Sequence, residues 1–184
     1  MTPPLIRPAV AADAAALAAI YGHHVLHGFG TFEEVPPSAA EMDQRRLAVV
    51  EHGLPWLVAE DAGRVAGFAY AAPFRPRAAY RYTVEDSIYL APEAVGRGLG
   101  RALLSAVLEA CEAAGLRQVV AVIGDSRNAA SIGLHRALGF APAGVGGSVG
   151  FKHGRWVDIV WMQKALNGGA ASPPTAPGLT LTGH

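Results

Sequence analysis

The feature that most constrains this chain is an apolar strand that runs into a glycine-punctuated turn and then an amphipathic helix. Ile88-Tyr-Leu90 leads into Ala91-Pro-Glu-Ala-Val-Gly-Arg-Gly-Leu-Gly-Arg101, and a helical apolar repeat follows from about Arg97 to Ala114, where Gly115 stops it. Such a junction gathers free backbone N–H groups and the positive end of a helix dipole at one point, and glycines let the backbone approach closely. It is an anion-binding arrangement. Two nucleotide-binding patterns fail on spacing. A Walker A loop needs Lys and then Ser or Thr after its last glycine, and Arg101-Ala102 follow Gly100 here. In a dinucleotide fingerprint counted from Gly98 and Gly100 the third glycine falls on Leu103, and the element order is wrong as well.

The rest of the chain supplies a framework for that junction. Leu5 to Val10 reads as a first strand, and Asp13 is placed to cap a helix with apolar positions Leu17, Ile20, Tyr21 and Val25. Ser38 and Glu41 form a capping-box pattern opening a second helix that ends near Gly53. Pro55 to Glu60 and Arg64 to Ala72 read as strands of a hairpin turned by Asp61-Ala-Gly63. Tyr80 to Leu90 alternates as one long strand: Tyr82, Val84, Asp86, Ile88 and Leu90 share one face, and Arg81, Thr83, Glu85, Ser87 and Tyr89 the other. Gln118 to Ile123 is apolar without alternation, as in a strand covered on both faces. A helix over Asn128 to Leu138 stops at Gly139, and strands over Gly144 to Phe151 and Arg155 to Lys164 complete a β-α-α-β-β-β-α-β-α-β-β order, which is mixed α/β. Residues 167–184 are almost uncharged and rich in Gly, Ala, Pro, Ser and Thr. They are expected to form a disordered tail after one domain over 1–166.

Composition narrows the function classes. With 184 residues, 51% of them hydrophobic, the chain suits one domain with a sizeable core. Its 15 basic and 15 acidic side chains form no run of either sign, so no nucleic-acid surface is expected. Cys111 is the only cysteine, which excludes an internal disulfide and suits a reducing cytoplasm. No apolar run is long enough to span a membrane, and Met1 to Arg7 lacks the pattern of a secretory signal. His23, His24, His27 and His52 show no ligand pattern with partners, so no metal is expected.

Val95-Gly-Arg-Gly-Leu-Gly100 resembles the pyrophosphate loop of the GNAT superfamily of N-acetyltransferases, Gln/Arg-x-x-Gly-x-Gly/Ala. Val95 stands where that superfamily usually has Gln or Arg; backbone amides are expected to hold the phosphates without that side chain. Further segments resemble the phosphinothricin and methionine sulfoximine (sulfone) acetyltransferase subgroup. They are Thr31-Phe-Glu-Glu34, the run from Arg75 to Tyr89, Val120-Ala-Val-Ile-Gly124 with Asn128-Ala-Ala-Ser131 and Leu134-His-Arg-Ala-Leu-Gly-Phe140, and Gly150-Phe-Lys-His-Gly-Arg-Trp-Val-Asp158. The resemblance covers residues 5–166. It implies the GNAT fold, a mixed and mostly antiparallel sheet flanked by helices, with splayed fourth and fifth strands that take acetyl-CoA between them. It also implies a homodimer.

Acetyl transfer from a thioester to an amine needs a deprotonated amine, a polarised carbonyl and a stabilised thiolate. Glu85 is the expected general base, directly or through a water; desolvation mid-strand raises its pKa toward a useful value. The alternative is a solvent-facing Glu85 or one paired with Arg81. His135, where most of the superfamily has Tyr, is expected to face the thiolate, with a structural histidine as the alternative. Asn128 is placed as a helix N-cap, and the resemblance adds a contact to the pantetheine arm. By the same resemblance Gly96, Arg97, Gly98, Leu99, Gly100 and Arg101 hold the pyrophosphate. Backbone groups of Ile88, Tyr89 and Leu90 pair with the arm, and Tyr89 or Leu90 polarises the carbonyl. Arg75, Arg77, Tyr80, Tyr82, Phe32 and Glu33 are the expected substrate contacts, arginine for a carboxylate and aromatics as walls; surface arginines and core aromatics are the alternative. Lys152, His153, Arg155, Trp156 and Asp158 are expected to complete the pocket or a dimer contact. The expected function is acetyl transfer from acetyl-CoA to the α-amine of a small amino-acid analogue such as phosphinothricin, methionine sulfoximine or methionine sulfone. The attack is direct, within a ternary complex. The alternatives are another amine (amino acid, polyamine or protein N-terminus) or a non-catalytic acetyl-CoA-binding module.

Overall fold

The apolar alternation and helical repeats resolve, in a computed structural model describing residues 4–181, into seven strands and four α-helices. In chain order they are β1 (Leu5–Pro8), α1 (Ala14–His27), α2 (Ala39–Glu51), β2 (Trp56–Asp61), β3 (Arg64–Pro73), β4 (Thr83–Leu90), α3 (Leu99–Ala113), β5 (Gln118–Gly124), α4 (Ala129–Ala137), β6 (Ala141–Lys152) and β7 (Arg155–Ala165). One sheet runs β1-β2-β3-β4-β5-β7-β6, and every pair is antiparallel except β4–β5. The crossover from β4 to β5 is α3, which is what a parallel pair requires. Among the described residues no helix is long and apolar enough to cross a membrane.

Strand alternation sends aromatic rings to one face. Trp56 stacks on Tyr70 at 4.1 Å between centroids, and Phe68 meets Tyr89 at 5.3 Å. Helix α1 closes this face with Tyr21 edge-on to Tyr89 at 4.8 Å. The opposite face is covered by α3, whose Leu103, Leu104 and Val107 are fully buried. Strand β4 therefore has two differently furnished sides: Glu85, Ser87 and Tyr89 look toward α1, and Val84, Asp86, Ile88 and Leu90 toward α3.

The cleft owes its position to an interrupted ladder. β4 and β5 pair from Thr83↔Gln118 only as far as Asp86↔Ala121. Beyond that point β4 stays with β3 out to Leu90, and β5 stays with β7 out to Gly124. The two parallel strands splay at their carboxyl ends, as the resemblance implies.

Three local expectations are corrected. Asp13 does not cap α1 with its side chain: its carboxylate accepts from Arg7 Nη1 at 2.8 Å and from the Val10 N–H at 2.8 Å, inside a 3-10 turn. The Ser38–Glu41 box does form, with Glu41 N–H on Ser38 Oγ at 3.2 Å and Ser38 N–H on Glu41 Oε2 at 2.7 Å. Tyr80 to Tyr82 is not strand. β3 ends at Pro73, paired with Val84, so these residues lack a neighbour to ladder with, and Ala78–Tyr80 makes a 3-10 turn. The tail is the third case. Residues 167–181 pack on the body: Arg117 Nε donates to Gly169 O at 2.9 Å, Tyr82 Oη donates to Ala176 O at 2.9 Å, and the Leu179 N–H donates to Arg81 O at 2.8 Å. Low charge and small side chains suit a segment laid over a buried arginine as well as they suit a free coil. The first residues of the Met1–Arg7 segment and the last three of the tail lie outside the described residues.

Candidate active site

Where β4 and β5 part, a cavity of about 520 Å³ passes through the sheet. His24, Phe29, Ser87 and Tyr89 line it from the α1 side, and Asp86, Ile88, Leu90, Leu134 and His135 from the α3–α4 side. In β-strands the N–H and C=O of one residue point to the same neighbour and alternate along the chain. Tyr82 O accepts from the start of β5 and the Ala91 N–H donates to Ala66 O of β3, so the peptide groups of Ile88 and Leu90 face the gap and those of Tyr89 face β3. Ile88 and Leu90 thus offer unpaired backbone groups to an extended ligand, and Tyr89 does not. Of these, Leu90 O already accepts from His24 Nε2–H at 2.8 Å. Burial of His24 lowers its pKa, and the bond to the Leu90 carbonyl opposes that shift only in part.

At the mouth of this gap the glycine turn meets the first turn of α3. Gly96 and Gly98 hold φ of 79° and 80°, a left-handed conformation that side-chain-bearing residues resist. Gly100 serves differently: a Cβ there would lie 3.4 Å from Leu134 and 3.5 Å from Leu90. Gly96, Gly98, Gly100 and Arg101 line the cleft with Val95, whose side chain is exposed. Leu99 points into the core, and Arg97 is tied back to Asp61 on the β2–β3 turn at 2.7 Å. Neither side chain faces the cleft, so what the turn presents there is its glycine backbone with Arg101.

Asn128 caps α4 through its Oδ1, which accepts from the Ser131 N–H at 3.1 Å, and it also lines the cleft. His135, one turn from Ser131, is 2% exposed. Its Nδ1–H donates to Ser131 O at 2.8 Å, and its Nε2 meets Asp86 Oδ2 at 2.9 Å. Asp86 was not a candidate from the sequence; it joins His135 across 49 residues of chain, a separation no local pattern reveals.

On the α1 side Glu85 is half-buried. Burial pushes its carboxyl pKa up, the Arg75 charge pulls it down by less, and the Asp86 charge adds to the rise. Among the described residues it makes no hydrogen bond or ion pair, so the Arg81 pairing does not occur; Arg81 Nε donates to Ala78 O instead. Arg75 lies over the Phe74 ring at 4.6 Å, and Tyr80 meets the same ring edge-on at 5.7 Å. Tyr82 turns away to the tail, and Arg77 belongs to the same loop outside the cleft. Phe32 lies against Gly124 and Gly150, where a Cβ would meet its ring at 3.3 Å and 2.2 Å. Glu33 is committed internally: Arg45 reaches it with two bonds of 2.7 and 3.0 Å, and Tyr21 Oη donates to it at 2.7 Å. Behind this loop, Lys152 is buried with its Nζ on Thr31 O at 2.7 Å, Arg155 stacks on Phe29 at 3.8 Å, and His153 meets Phe29 at 5.4 Å. Asp158 accepts from Ser126 and Ser148, and Trp156 is exposed. No cluster of metal-ligating side chains occurs among the described residues.

Residues 22–140 match the profile of the acetyltransferase (GNAT) family. The chain belongs to that family. Over 162 residues it is 54% identical to a phosphinothricin N-acetyltransferase of Alcaligenes faecalis, covering 88% of this chain and 82% of the relative. An L-methionine sulfoximine/L-methionine sulfone acetyltransferase of Pseudomonas paraeruginosa is 42% identical over 91% of this chain and 98% of its own length. A crystal structure of a GNAT phosphinothricin acetyltransferase from Sinorhizobium meliloti, in complex with acetyl-CoA, superposes with a TM-score of 0.91 at 50% identity, covering 95% of each chain. As a GNAT acetyltransferase, this chain has the mixed sheet with parallel β4–β5 expected of it.

Acetyl-CoA fits the residues present. The left-handed glycines and the first turn of α3 suit its pyrophosphate, and the Ile88 backbone groups and the Leu90 N–H that face the gap suit an amide-bearing arm. Sequence reading missed His24 and Asp86. The signal for His24 was faint: a histidine on an apolar helix one turn before Gly28, near the end of α1.

Proposed function

We propose that this acetyltransferase moves the acetyl group of acetyl-CoA to the α-amine of a small amino-acid analogue of the phosphinothricin, methionine sulfoximine or methionine sulfone type, by direct attack in a ternary complex. What carries the reading is a cleft between the splayed strands with a phosphate-type cradle at its mouth, and a desolvated carboxylate, Glu85, next to the cleft-lining Asp86 on β4. Acetyl-CoA supplies an activated acetyl thioester. Gly96, Gly98 and Gly100 would hold its phosphates by backbone N–H groups, and the Leu90 N–H, which faces the gap, would be the donor to the thioester carbonyl. Glu85 takes a proton from the incoming ammonium, directly or through a water, and Arg75 beside it offers a partner for the substrate carboxylate. His135 stands on the α4 side, toward the departing thiolate. The support for the substrate type is the identity to the two named relatives, 54% and 42% over 88% and 91% of this chain.

Two further properties belong to this reading. We place the enzyme in the cytoplasm, in keeping with its lone, buried Cys111. We also propose a homodimer, supported by the apolar side chains of Val145, Val149, Phe151 and Trp156 exposed on β6 and β7.

The test is CoA-thiol release with purified protein against phosphinothricin, methionine sulfoximine, methionine sulfone, the common amino acids, polyamines and short peptides. Saturable turnover is expected with the first three. Turnover confined to peptides or polyamines overturns the substrate class, and coenzyme binding without turnover on any amine overturns the activity.

A further inference from the structure

The hydrogen bonds of His135 fix how many protons it shares with Asp86. A backbone carbonyl only accepts, so Nδ1, at 2.8 Å from Ser131 O, carries a hydrogen. The 2.9 Å contact between Nε2 and Asp86 Oδ2 holds another, whichever atom formally owns it. The pair therefore contains one proton more than a neutral imidazole beside a carboxylate. Both N–H groups end on protein atoms, so the ring has no N–H left for a ligand, although it lines the cleft. The other oxygen, Asp86 Oδ1, is buried with no hydrogen-bond partner. A carboxylate in that state is costly unless a charge beside it compensates, and the imidazolium is that charge.

The groups packed around the pair do not take its proton. Cys111 on α3 faces Asp86, and burial together with the Asp86 charge pushes its thiol up to about 12, so it stays neutral. Glu85 lies across the strand on the α1 face, and Arg101 lines the same cleft from α3. The Phe140 ring meets His135 edge-on at 5.0 Å, and β5 contributes Ala121 opposite Asp86.

We propose that Asp86 is a positioning residue, one that fixes His135 as an imidazolium in the cleft wall so that its charge, and not a donated proton, stabilises the departing thiolate. This rests on the acetyl-transfer reading above. As the N–C bond forms and the C–S bond breaks, the electron pair goes to sulfur; the thiolate leaves charged and takes its proton from water, and the Asp86–His135 pair keeps its own. Burial opposes a charged ring, but the Asp86 bond and charge with the Ser131 carbonyl outweigh it, and the His135 pKa is raised. The charge is therefore lost as pH rises through that raised value and held below it.

Two measurements test this. In the wild-type enzyme, nitrogen-15 NMR of the histidines is expected to show both ring nitrogens of His135 protonated above pH 7; titration near the ordinary value of about 6.5 overturns the inference. In Asp86→Asn, the Asn amide can donate to Nε2 and leave the ring neutral. The alkaline limb of kcat is then expected to move to lower pH, with kcat at pH 8 down about tenfold to a hundredfold and KM for acetyl-CoA little changed. A folded Asp86→Asn enzyme with the wild-type pH profile overturns the inference and leaves acetyl transfer standing. If that variant does not fold, the wild-type NMR decides alone. No turnover in wild type on any amine sinks the acetyl-transfer reading first, and this inference with it.

Discussion

Glu85 occupies a position where a carboxylate costs stability, and that cost is the argument for its role. Its pKa is raised above the ordinary carboxylate value because burial disfavours the charged form and Arg75 compensates only in part. A group whose folded pKa exceeds its unfolded one favours the folded state below the unfolded pKa, and that advantage is lost as pH rises through the folded value. At pH 7 and above, the ionised side chain is thus a burden that a neutral amide removes. Glu85→Gln is expected to raise Tm slightly at pH 8 while lowering kcat/KM on the order of a hundredfold or more, and to abolish the acid limb of the wild-type pH profile. Thermal unfolding and CoA-thiol release measure the two halves. Near-normal turnover below neutral pH would exclude Glu85 as the base. Glu85 was legible in the sequence because a carboxylate mid-strand stands out among Thr, Ser and Tyr. The Asp86–His135 bond was not, since only the folded crossover through α3 brings β4 and α4 together.

At the scale of elements, the turn before α3 was legible almost in full, because glycine spacing reports a backbone conformation directly. Gly98 stands at the N-cap of α3 with φ of 80° and no neighbour where a Cβ would go, so conformation and not crowding excludes other residues. Gly98→Ala is expected to cost about 1–2 kcal/mol. At roughly 2–4 °C per kcal/mol for a chain of this size, the Tm should drop by several degrees. KM for acetyl-CoA should rise more than kcat falls, because the cradle for its phosphates is what shifts. An unchanged KM would mean the phosphates bind elsewhere. Periodicity could not show that Arg97 pairs with Asp61 and that Leu99 is core, since the turn that meets Arg97 lies on another hairpin. It also ran β4 three residues too far back: alternation continues through Tyr80 and Tyr82, but a strand needs a neighbour, and β3 has ended at Pro73.

Across the whole molecule, β4 and β5 behave as a wedge that is open at one end and bound at the other. Their carboxyl ends diverge around the cleft, as is usual for ligand sites on parallel strands. Their amino ends hold only the short ladder that stops at Asp86↔Ala121, and there the tail lies across them. Arg117, just before β5, is 8% exposed and reaches Gly169 O at 2.9 Å, Ser172 O at 2.7 Å and Ser172 Oγ at 3.1 Å. Asn167 adds bonds to Glu112 O at 2.8 Å and Leu116 O at 2.9 Å, and Leu179 packs against the core. Composition gave no hint of this strap, because its order comes from an arginine that precedes it by some fifty residues of chain and not from its own side chains. Charge-assisted bonds of this kind contribute about 1.5–3 kcal/mol. Arg117→Ala is accordingly expected to lower Tm by roughly 3–12 °C and to make the chain after Leu166 a site of rapid proteolysis in the folded protein. Turnover at 25 °C should remain near wild type, because the strap and the cleft sit at opposite ends of the same two strands. If kcat fell with the loss of the strap while Glu85 kept its pH limb, the amino ends would be setting the width of the cleft, and the wedge would have to be treated as one mechanical unit.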